Sequence, residues 1–240
     1  MGTSTDYSAP PAWGQLKGGV TRAAGHALTP ARAGELLSDH VATNGGARQI
    51  ASGGGVLGAG RSSQSVARNI GGFISQVANV GLSETLRQNG LQELMGRPAS
   101  EVLLGILALC SGTNGSIDAV DARSAASRLM DDLCKQAVTA EDVELILKAH
   151  ADGEGLADLL MKYFGYYLYE QFCRLFFAQL VKKHGEQRAE SFLDDILDFI
   201  HAALRNHTLG LNVAEVNWFG NDGDRMASEI MQQTLEVFEQ

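Results

Sequence analysis

Apolar residues recur along most of this 240-residue chain at the spacing of three and four that places them on one face of an α-helix. Val66, Ile70 and Val77 belong to one such stripe, which Gly71-Gly72 interrupts in a way that indicates close helix packing or a kink. No run shows the useful alternation of apolar and polar residues that is typical of a half-buried strand. The pattern predicts an all-α, multi-helix bundle with helices over residues 29–43, 64–80, 82–94, 99–110, 117–136, 143–149, 155–183, 186–205 and 225–238.

The segment from Gly155 to Lys183 is apolar on nearly every side and contains no proline. A helix of this kind is normally buried among other helices, and at 1.5 Å per residue it would run roughly 40 Å. A membrane span is the competing interpretation, because about 20 apolar residues are enough to cross a bilayer. Lys162, Glu170 and Arg174 argue against it, since each charge near a bilayer centre costs about 3 kcal/mol. We therefore expect a buried central helix, and a pore-forming toxin is a disfavoured function.

Two stretches near the start of the chain lack this helical pattern. Residues 1–28 begin with small residues and two prolines, a composition typical of an extended arm. Residues 44–62 are rich in glycine and predict a flexible linker. We therefore divide the chain into residues 1–62, a flexible arm and Gly-rich linker with one short helix over 29–43, and residues 63–240, a helical bundle domain.

The formal net charge is −9 at pH 7, and it is unevenly distributed. The first 80 residues carry six Lys/Arg and three Asp/Glu, whereas residues 81–240 carry thirteen and twenty-five. An acidic helical body is poorly suited to bind the phosphate backbone of a nucleic acid. The charge pattern therefore predicts no direct nucleic-acid binding.

Cys110, Cys134 and Cys173 are far apart and lie in apolar helical stretches. Because no C-x-x-C pair occurs, the sequence predicts neither a zinc site nor a redox-active pair. An odd number of cysteines without a secretion signal is typical of a reducing compartment. We therefore expect the protein in the cytoplasm.

The segment Gly55–Ser62 nearly matches a P-loop, a motif whose backbone amides bind phosphate groups. Two features differ from that motif. Arg61 occupies the position of the essential lysine, and no apolar strand precedes the segment. These differences favour the linker interpretation over a nucleotide site.

Asp194, Asp195 and Asp198 fall within one turn of the predicted helix 186–205. Carboxylates at this spacing could hold a divalent metal or act as an acid/base pair. No further ligand or nucleophile motif accompanies them, so a solvated helix face is favoured. A hydrolase or nucleotide-binding enzyme that uses these aspartates or the segment Gly55–Ser62 is the alternative function, but the sequence predicts no catalytic residue, no metal and no cofactor.

Three further features have structural interpretations. His40 lies on the apolar side of its predicted helix, where a packed histidine is commoner than a ligand. His201 and His207 are six residues apart, which places them on different sides of a helix rather than on one metal ion. Asn221–Asp224 is superficially similar to a calcium loop but lacks the required glycine and glutamate, so a tight turn is favoured.

The layout of the chain resembles that of a known family. The opening Met1-Gly2-Thr3-Ser4 is followed by a Pro/Gly/Ser-rich arm, a Gly-rich segment over residues 45–60 and an acidic helical body. This arrangement resembles QatB, a component of the Qat anti-phage defence system. In that family the protein accompanies an ATPase, a QueC-like enzyme that resembles the 7-cyano-7-deazaguanine synthase of queuosine biosynthesis, and a TatD-like nuclease. The resemblance implies a non-enzymatic accessory protein of a defence complex.

The resemblance also gives Gly2 a role. Removal of the first methionine would leave Gly2 with a free α-amine of pKa about 8, so a useful fraction is neutral at pH 7. Gly2 has no side chain to obstruct an enzyme, and Thr3 and Ser4 could hydrogen-bond in an extended groove. The resemblance implies that Gly2 is the acceptor of a deazaguanine-type group added by the QueC-like enzyme. The competing interpretation is that Gly2 is merely where translation begins.

Lipid modification of Gly2 is a further alternative. The myristoylation pattern Met-Gly-x-x-x-[ST] fails here, because Asp6 occupies the position of the serine or threonine. A single acyl chain beside an acidic body without polybasic support would bind a membrane only marginally. We therefore expect no membrane partner.

Overall fold

A computed structural model of the chain describes residues 11–211, 213 and 215–239. The regular elements within these ranges are all helical, and the prediction of an all-α bundle is confirmed. The described helices are α1 (Pro11–Ala24), α2 (Pro30–Thr43), α3 (Ala47–Ala51), α4 (Arg61–Val80), α5 (Leu82–Gln88), α6 (Ala99–Ser111), α7 (Ile117–Leu133), α8 (Ala140–Ala149), α9 (Gly153–His184), α10 (Glu186–Arg205) and α11 (Asn221–Glu236). Two short 3-10 turns, Val56–Gly58 and Gln92–Leu94, lie between them, and the second replaces the end of the helix predicted over 82–94.

The predicted central helix is confirmed as α9, which has 32 residues and is about 48 Å long. Tyr163, Phe164, Tyr167 and Phe172 of this helix are fully buried, and α1, α7, α10 and α11 pack around it. Its aromatic side chains therefore form the middle of the core. Within the described residues, none of the helices combines the length and the apolar character needed to cross a bilayer.

Short polar motifs position the starts of three helices. Thr29 caps α2 with its side chain, and Pro30 occupies the first helical position, where its missing N–H costs nothing. Ser116 caps α7 in the same way. At α8, Thr139 and Asp142 each accept a hydrogen bond from the other's backbone amide, which forms a capping box.

Helix α1 corrects one part of the extended arm predicted over residues 1–28, namely Pro11–Ala24. Pro11 is at its first position, which suits proline, and Leu16, Val20 and Ala24 follow at intervals of four. All three side chains are buried, because α1 packs on α2 and α9. The small residues and glycines between these three positions favour a loop, and they therefore made the apolar stripe hard to recognise in the sequence. The helix is stabilised instead by packing of that stripe against the rest of the bundle.

The Gly-rich segment also differs from the prediction of a flexible linker over residues 44–62. It folds as α3, a 3-10 turn and the start of α4, and Ala47, Ile50 and Ala59 are buried. Several of its glycines have positive φ angles, which turns the chain sharply between these short elements. The glycines therefore serve backbone geometry rather than mobility.

One hydrophobic core runs through the described helices, and α1, α2 and α3 contribute to it. Leu16, Leu36 and Ile50 are each at most 1% exposed within this core. The first helices thus pack on the rest of the bundle, although the division of the chain into two units at residue 62 stays a prediction.

Trp218 provides an anchor near the C-terminal end and is 2% exposed. Its ring lies on Gly71 of α4, where a Cβ atom would come within 2.7 Å of the ring. This confirms that the interruption in the α4 stripe reflects close packing. Helix α11 begins directly after this anchor at Asn221, so the tight turn predicted for Asn221–Asp224 is instead the first turn of the helix.

Candidate functional site

Seven polar residues meet where the end of α2, the Gly-rich segment, α7 and α9 come together. The two on α7, at positions 118 and 121, are three residues apart, and the three on α9, at positions 167, 171 and 174, are four and three residues apart. Residues at these spacings share one face of a helix, so α7 and α9 each direct one face towards the same point. We call this set the buried polar cluster; it consists of the buried His40, Asn44, Asp118, Asp121, Tyr167 and Gln171, together with Arg174, whose side chain extends from the cluster to the surface.

Asp118 lies at the centre of the cluster and is 6% exposed. Its carboxylate accepts hydrogen bonds from Tyr167 Oη at 2.5 Å, from Ser62 N at 2.6 Å and from Gly60 N at 3.1 Å. Gln171 Nε2 donates in turn to Tyr167 Oη at 2.7 Å. Hydrogen bonds to a charged acceptor are roughly twice as strong as neutral ones. Asp118 therefore ties the Gly-rich segment to α7 and α9.

The segment Gly55–Ser62 supplies the backbone geometry for this contact. Gly60 has φ of 101°, and a Cβ atom there would lie 1.9 Å from Ile50 O, so only glycine fits. Helix α4 begins at the next residue, and its first N–H groups have no intrahelical partner. In a P-loop, backbone amides at these positions bind phosphate, whereas here the amides of Gly60 and Ser62 bind the carboxylate of Asp118. The side chain of Arg61, at the position of the P-loop lysine, is exposed.

Asp121 and Arg174 form the second strong contact of the cluster. Arg174 Nε donates to both carboxylate oxygens of Asp121 at 2.9 Å. Burial raises the pKa of Asp121 to about 6, although the charge of Arg174 acts in the opposite direction. Asp121 is therefore a group in the cluster whose protonation changes in mildly acidic solution.

His40 and Tyr167 stay uncharged near neutral pH. Burial, with a smaller effect from Arg174, lowers the pKa of His40 to about 3. Its ring packs edge-on against Phe172 at 5.5 Å, which confirms the interpretation as a packed histidine. Burial and then the charge of Asp118 raise the pKa of Tyr167 well above its ordinary value, so its hydroxyl remains a hydrogen-bond donor.

A cavity of about 30 Å³ lies beside the cluster, and Trp13, Ile117 and Leu175 line its apolar side. This space accommodates a single water molecule, whereas small-molecule sites commonly measure about 300–1,000 Å³. A nucleotide therefore does not fit without movement of the surrounding elements. In this arrangement the cluster acts as an internal cross-link and can exchange a proton at Asp121.

The residues predicted to be modified, Gly2, Thr3 and Ser4, lie outside the described residues. Helix α1 begins nine positions after Gly2, at Pro11. Their role stays a prediction.

Asp194 of the predicted acidic cluster lies apart from the other two aspartates. Asp195 and Asp198 line a surface groove between α2 and α10. Asp194 lies near Tyr169 and Cys173 of α9, and its charge contributes to raising the pKa values of both groups. Among the residues that the structure describes, no group of three or more His, Cys, Asp or Glu side chains is arranged to hold a metal ion.

The remaining candidate side chains are packed within the bundle. His201 contacts the ring of Tyr166 edge-on at 5.0 Å. Burial raises the pKa of the Cys110 and Cys173 thiols to about 12 and that of Cys134 to about 11. Because the thiolate is the reactive form, these three cysteines are poor nucleophiles.

Sequence reasoning did not identify Asp118, Asp121 or Arg174 as members of a site. The two aspartates lie in an alanine-rich helix beside the inward Ala122 and Ala125, and the arginine interrupts an otherwise apolar helix. An ionisable residue on an inward face is normally paired with another, so these positions were the available indication.

Comparison with known proteins places the chain in a family. The family model described as "Qat anti-phage system associated protein QatB" matches residues 45–238. No curated protein and no solved structure matches the chain. The matched range begins at the Gly-rich segment and includes every residue of the buried polar cluster except those at the end of α2. The chain belongs to the QatB family and is a component of the Qat anti-phage system.

Proposed function

We propose that the chain is a non-enzymatic accessory protein of the Qat system, a helical scaffold that presents Gly2 for covalent modification by a QueC-like companion. The observation that supports the scaffold role is the internal pairing of the buried polar cluster. Asp118, Asp121 and Tyr167 bind other groups of the chain, and the adjoining cavity is the size of one water molecule. A catalytic site needs groups that reach a substrate, so this cluster favours a scaffold over a catalyst.

The companions follow from the resemblance to the family rather than from the geometry. They are a QueC-like enzyme, an ATPase and a TatD-like nuclease, and the cytoplasm is the proposed location of the complex. The acidic helical body makes a protein partner a better occupant of its surfaces than a nucleic acid.

The distance between Gly2 and the bundle is limited by the chain itself. An extended chain spans at most about 3.5 Å per residue, so Gly2 lies within about 30 Å of Pro11 in any conformation. An enzyme that docks near α1 can therefore reach the Gly2 amine.

The modification requires little from this chain beyond that amine. In the proposed step, the neutral Gly2 nitrogen attacks a carboxyl carbon that the companion has activated with ATP. An amide bond forms, the activating group leaves and the nitrogen loses a proton. The fraction of neutral amine increases as the pH approaches its pKa of about 8.

The test is the intact mass of the chain with peptide mapping of its N-terminus, after expression with and without the QueC-like companion. We expect added mass on the Gly2 peptide only when the active companion is present. Gly2→Leu is the matched control, because a bulky second residue prevents removal of the first methionine, so that the free α-amine belongs to Met1 instead of Gly2. An unmodified Gly2 in the presence of an active companion would reject this part of the proposal.

An enzyme that uses the segment Gly55–Ser62 or the three aspartates is the alternative, and the geometry favours it less. Asp118 occupies the amides at Gly60 and Ser62, and Asp194 lies apart from its two neighbours. Hydrolysis of ATP by the purified chain, abolished by a substitution within Gly55–Ser62, would support this alternative instead.

A further inference from the structure

Helices α2 and α10 lie side by side and leave a groove on either side of Phe199. One groove, of about 430 Å³, continues over α10, and the other, of about 530 Å³, continues over α2. Phe199 lies against Gly34, where a Cβ atom would be 3.3 Å from the ring. We call this surface the α2–α10 face; its apolar floor is formed by Leu28, Ala33, Phe199, Ala202 and Ala203.

The rim of this face is acidic. Asp195 and Asp198 border the groove over α10, and Glu35 and Asp39 border the groove over α2. Within the described part of the chain, Asp39, Asp195 and Asp198 form no ion pair, whereas Glu35 pairs with Arg32. Three exposed carboxylates therefore surround an apolar floor, and none of them is neutralised by an ion pair within the described residues.

We propose that the α2–α10 face docks a basic amphipathic segment of a companion protein. Apolar side chains of that segment would cover Phe199, and its Lys or Arg side chains would reach Asp39, Asp195 and Asp198. Amphipathic helices commonly bind by laying their apolar face into a hydrophobic groove of the partner. Complementary charge on the rim speeds association and selects the partner. The inference rests on the proposed scaffold function, because it requires a companion that binds this chain.

The charge around the face also limits how the segment can lie. The next concavity, at the turn between α1 and α2, is bordered by Arg22, His26 and Arg32. Positive charge on the partner must therefore follow α10 and the later turns of α2, and end before this turn. Acidic character at that end of the segment would complete the match.

Other occupants fit the charge less well. Residues 1–10 of the chain carry a single charged side chain, Asp6, which has the same sign as the rim. A second copy of this acidic chain would bring net negative charge to the face. A nucleic acid would be repelled for the same reason.

The experiment measures binding of the full chain to each purified companion of the Qat system at low and high salt. The first variant is Asp39→Asn/Asp195→Asn/Asp198→Asn, which keeps side-chain shape but removes the charge of the rim. The second is Ala202→Arg, which blocks the apolar floor. The matched control, Asp131→Asn/Glu229→Gln/Glu236→Gln, removes three exposed carboxylates from α7 and α11.

We expect one companion to bind the triple rim variant about tenfold more weakly than the natural chain, with a smaller salt dependence. Ala202→Arg should weaken binding by a similar factor, and the control should stay within about twofold. Amide hydrogen exchange of the unaltered chain provides a second measurement that needs no variant. The companion should protect residues 30–39 and 195–206.

Equal binding of both variants, or protection confined to another surface, would reject the docking face and leave the scaffold function standing. A failure of every companion to bind the natural chain would reject both. The face would belong to another occupant if deletion of residues 2–10 abolished protection of 195–206 in the free chain. The same conclusion follows if the natural chain self-associates and the rim variant does not.

Discussion

Asp118 belongs to the first turn of α7 and also binds the amides that open α4. The first turn of a helix carries N–H groups without intrahelical partners and a partial positive charge. One carboxylate therefore stabilises two helix starts, and Tyr167 holds it between them. This arrangement explains why a segment as rich in glycine as residues 52–60 has a defined fold. The contact depends on a glycine at residue 60, where any Cβ atom would collide with Ile50 O.

His40 and Asp121 make stability depend on pH in opposite directions. The pKa of His40 is about 3 in the folded chain against 6.5 ordinarily, so the unfolded chain binds its proton first and acidification below pH 6.5 favours unfolding. The pKa of Asp121 is raised from 3.8 to about 6, so the folded chain binds this proton first and acidification below pH 6 favours folding. The two contributions partly cancel between about pH 4 and 6.

Single substitutions should separate these two contributions. We expect Asp121→Asn to steepen the loss of stability on acidification between about pH 6 and 4, towards about 1.4 kcal/mol per pH unit. His40→Gln should change the slope of the same part of the profile in the opposite direction, because the contribution of Asp121, which favours folding on acidification, is then no longer offset. Urea unfolding at a series of pH values gives the free energy of unfolding of each variant. Profiles parallel to that of the natural chain for both variants would contradict the assignment.

At the scale of elements, α7 and α9 are joined along their length by polar contacts as well as by apolar packing. The contacts run in opposite order along the two helices, which is what an antiparallel pair requires. The basic partner of each pair is partly exposed, so each contact contributes little net stability, but a shift of one helical turn would separate all of the paired charges. The pairs are Asp121–Arg174, Arg128–Glu170 and Asp132–Lys162. They fix the register of α7 on the central helix.

The contact between α4 and Trp218 leads to a prediction about two helical glycines. Gly71→Ala should destabilise the fold by about 1–3 kcal/mol, because the new Cβ would lie 2.7 Å from the Trp218 ring. Gly14→Ala is the matched control, since no atom lies within 4 Å of its Cβ position in α1. That substitution should stabilise the helix by about 0.5–1 kcal/mol. Thermal unfolding of both variants measures the difference, and a Gly71→Ala chain as stable as the natural one would show that Trp218 moves away from α4 at little cost.

At the scale of the whole molecule, helical periodicity and capping residues predicted nine helices, including the central one. These are local features, and residues such as Thr29 and Ser116 carry them in the sequence itself. Helix α1 was missed because its buried stripe of Leu16, Val20 and Ala24 depends on the surfaces of α2 and α9. Tertiary packing there outweighs a composition that favours a loop.

The buried polar cluster could not be predicted for a related reason. Asp118 contacts Gly60 across 58 positions of the sequence and Tyr167 across 49. Local sequence patterns do not reveal contacts between residues so far apart in the chain. The inward-facing ionisable residues of α7 and α9 indicate only that each of them needs a partner. The glycines near residue 60 were assigned to a flexible linker because a high glycine content suggests mobility. In the structure, several of them adopt positive φ angles that allow tight turns between ordered elements.

The family match begins at residue 45, yet α1 and α2 precede it and pack on the same core. Leu16, Val20, Leu36, Leu37 and Val41 are each at most 1% exposed. Burial of one such side chain contributes roughly 1.5–3 kcal/mol, and five together approach the net stability of roughly 5–15 kcal/mol of a typical domain. We therefore expect a chain of residues 45–240 to lack a cooperative thermal transition.

The matched control is a chain of residues 11–240, which retains all five side chains and should unfold cooperatively. Addition of a separate fragment of residues 11–44 to the shorter chain should restore the transition, because the fragment supplies the missing faces of the core. Circular dichroism in the far and near ultraviolet distinguishes residual helix from fixed packing. If residues 45–240 unfold cooperatively alone, the folding unit coincides with the family match, and α1 and α2 form an addition to it. If they do not, the helices before residue 45 are part of the structure that carries the buried polar cluster.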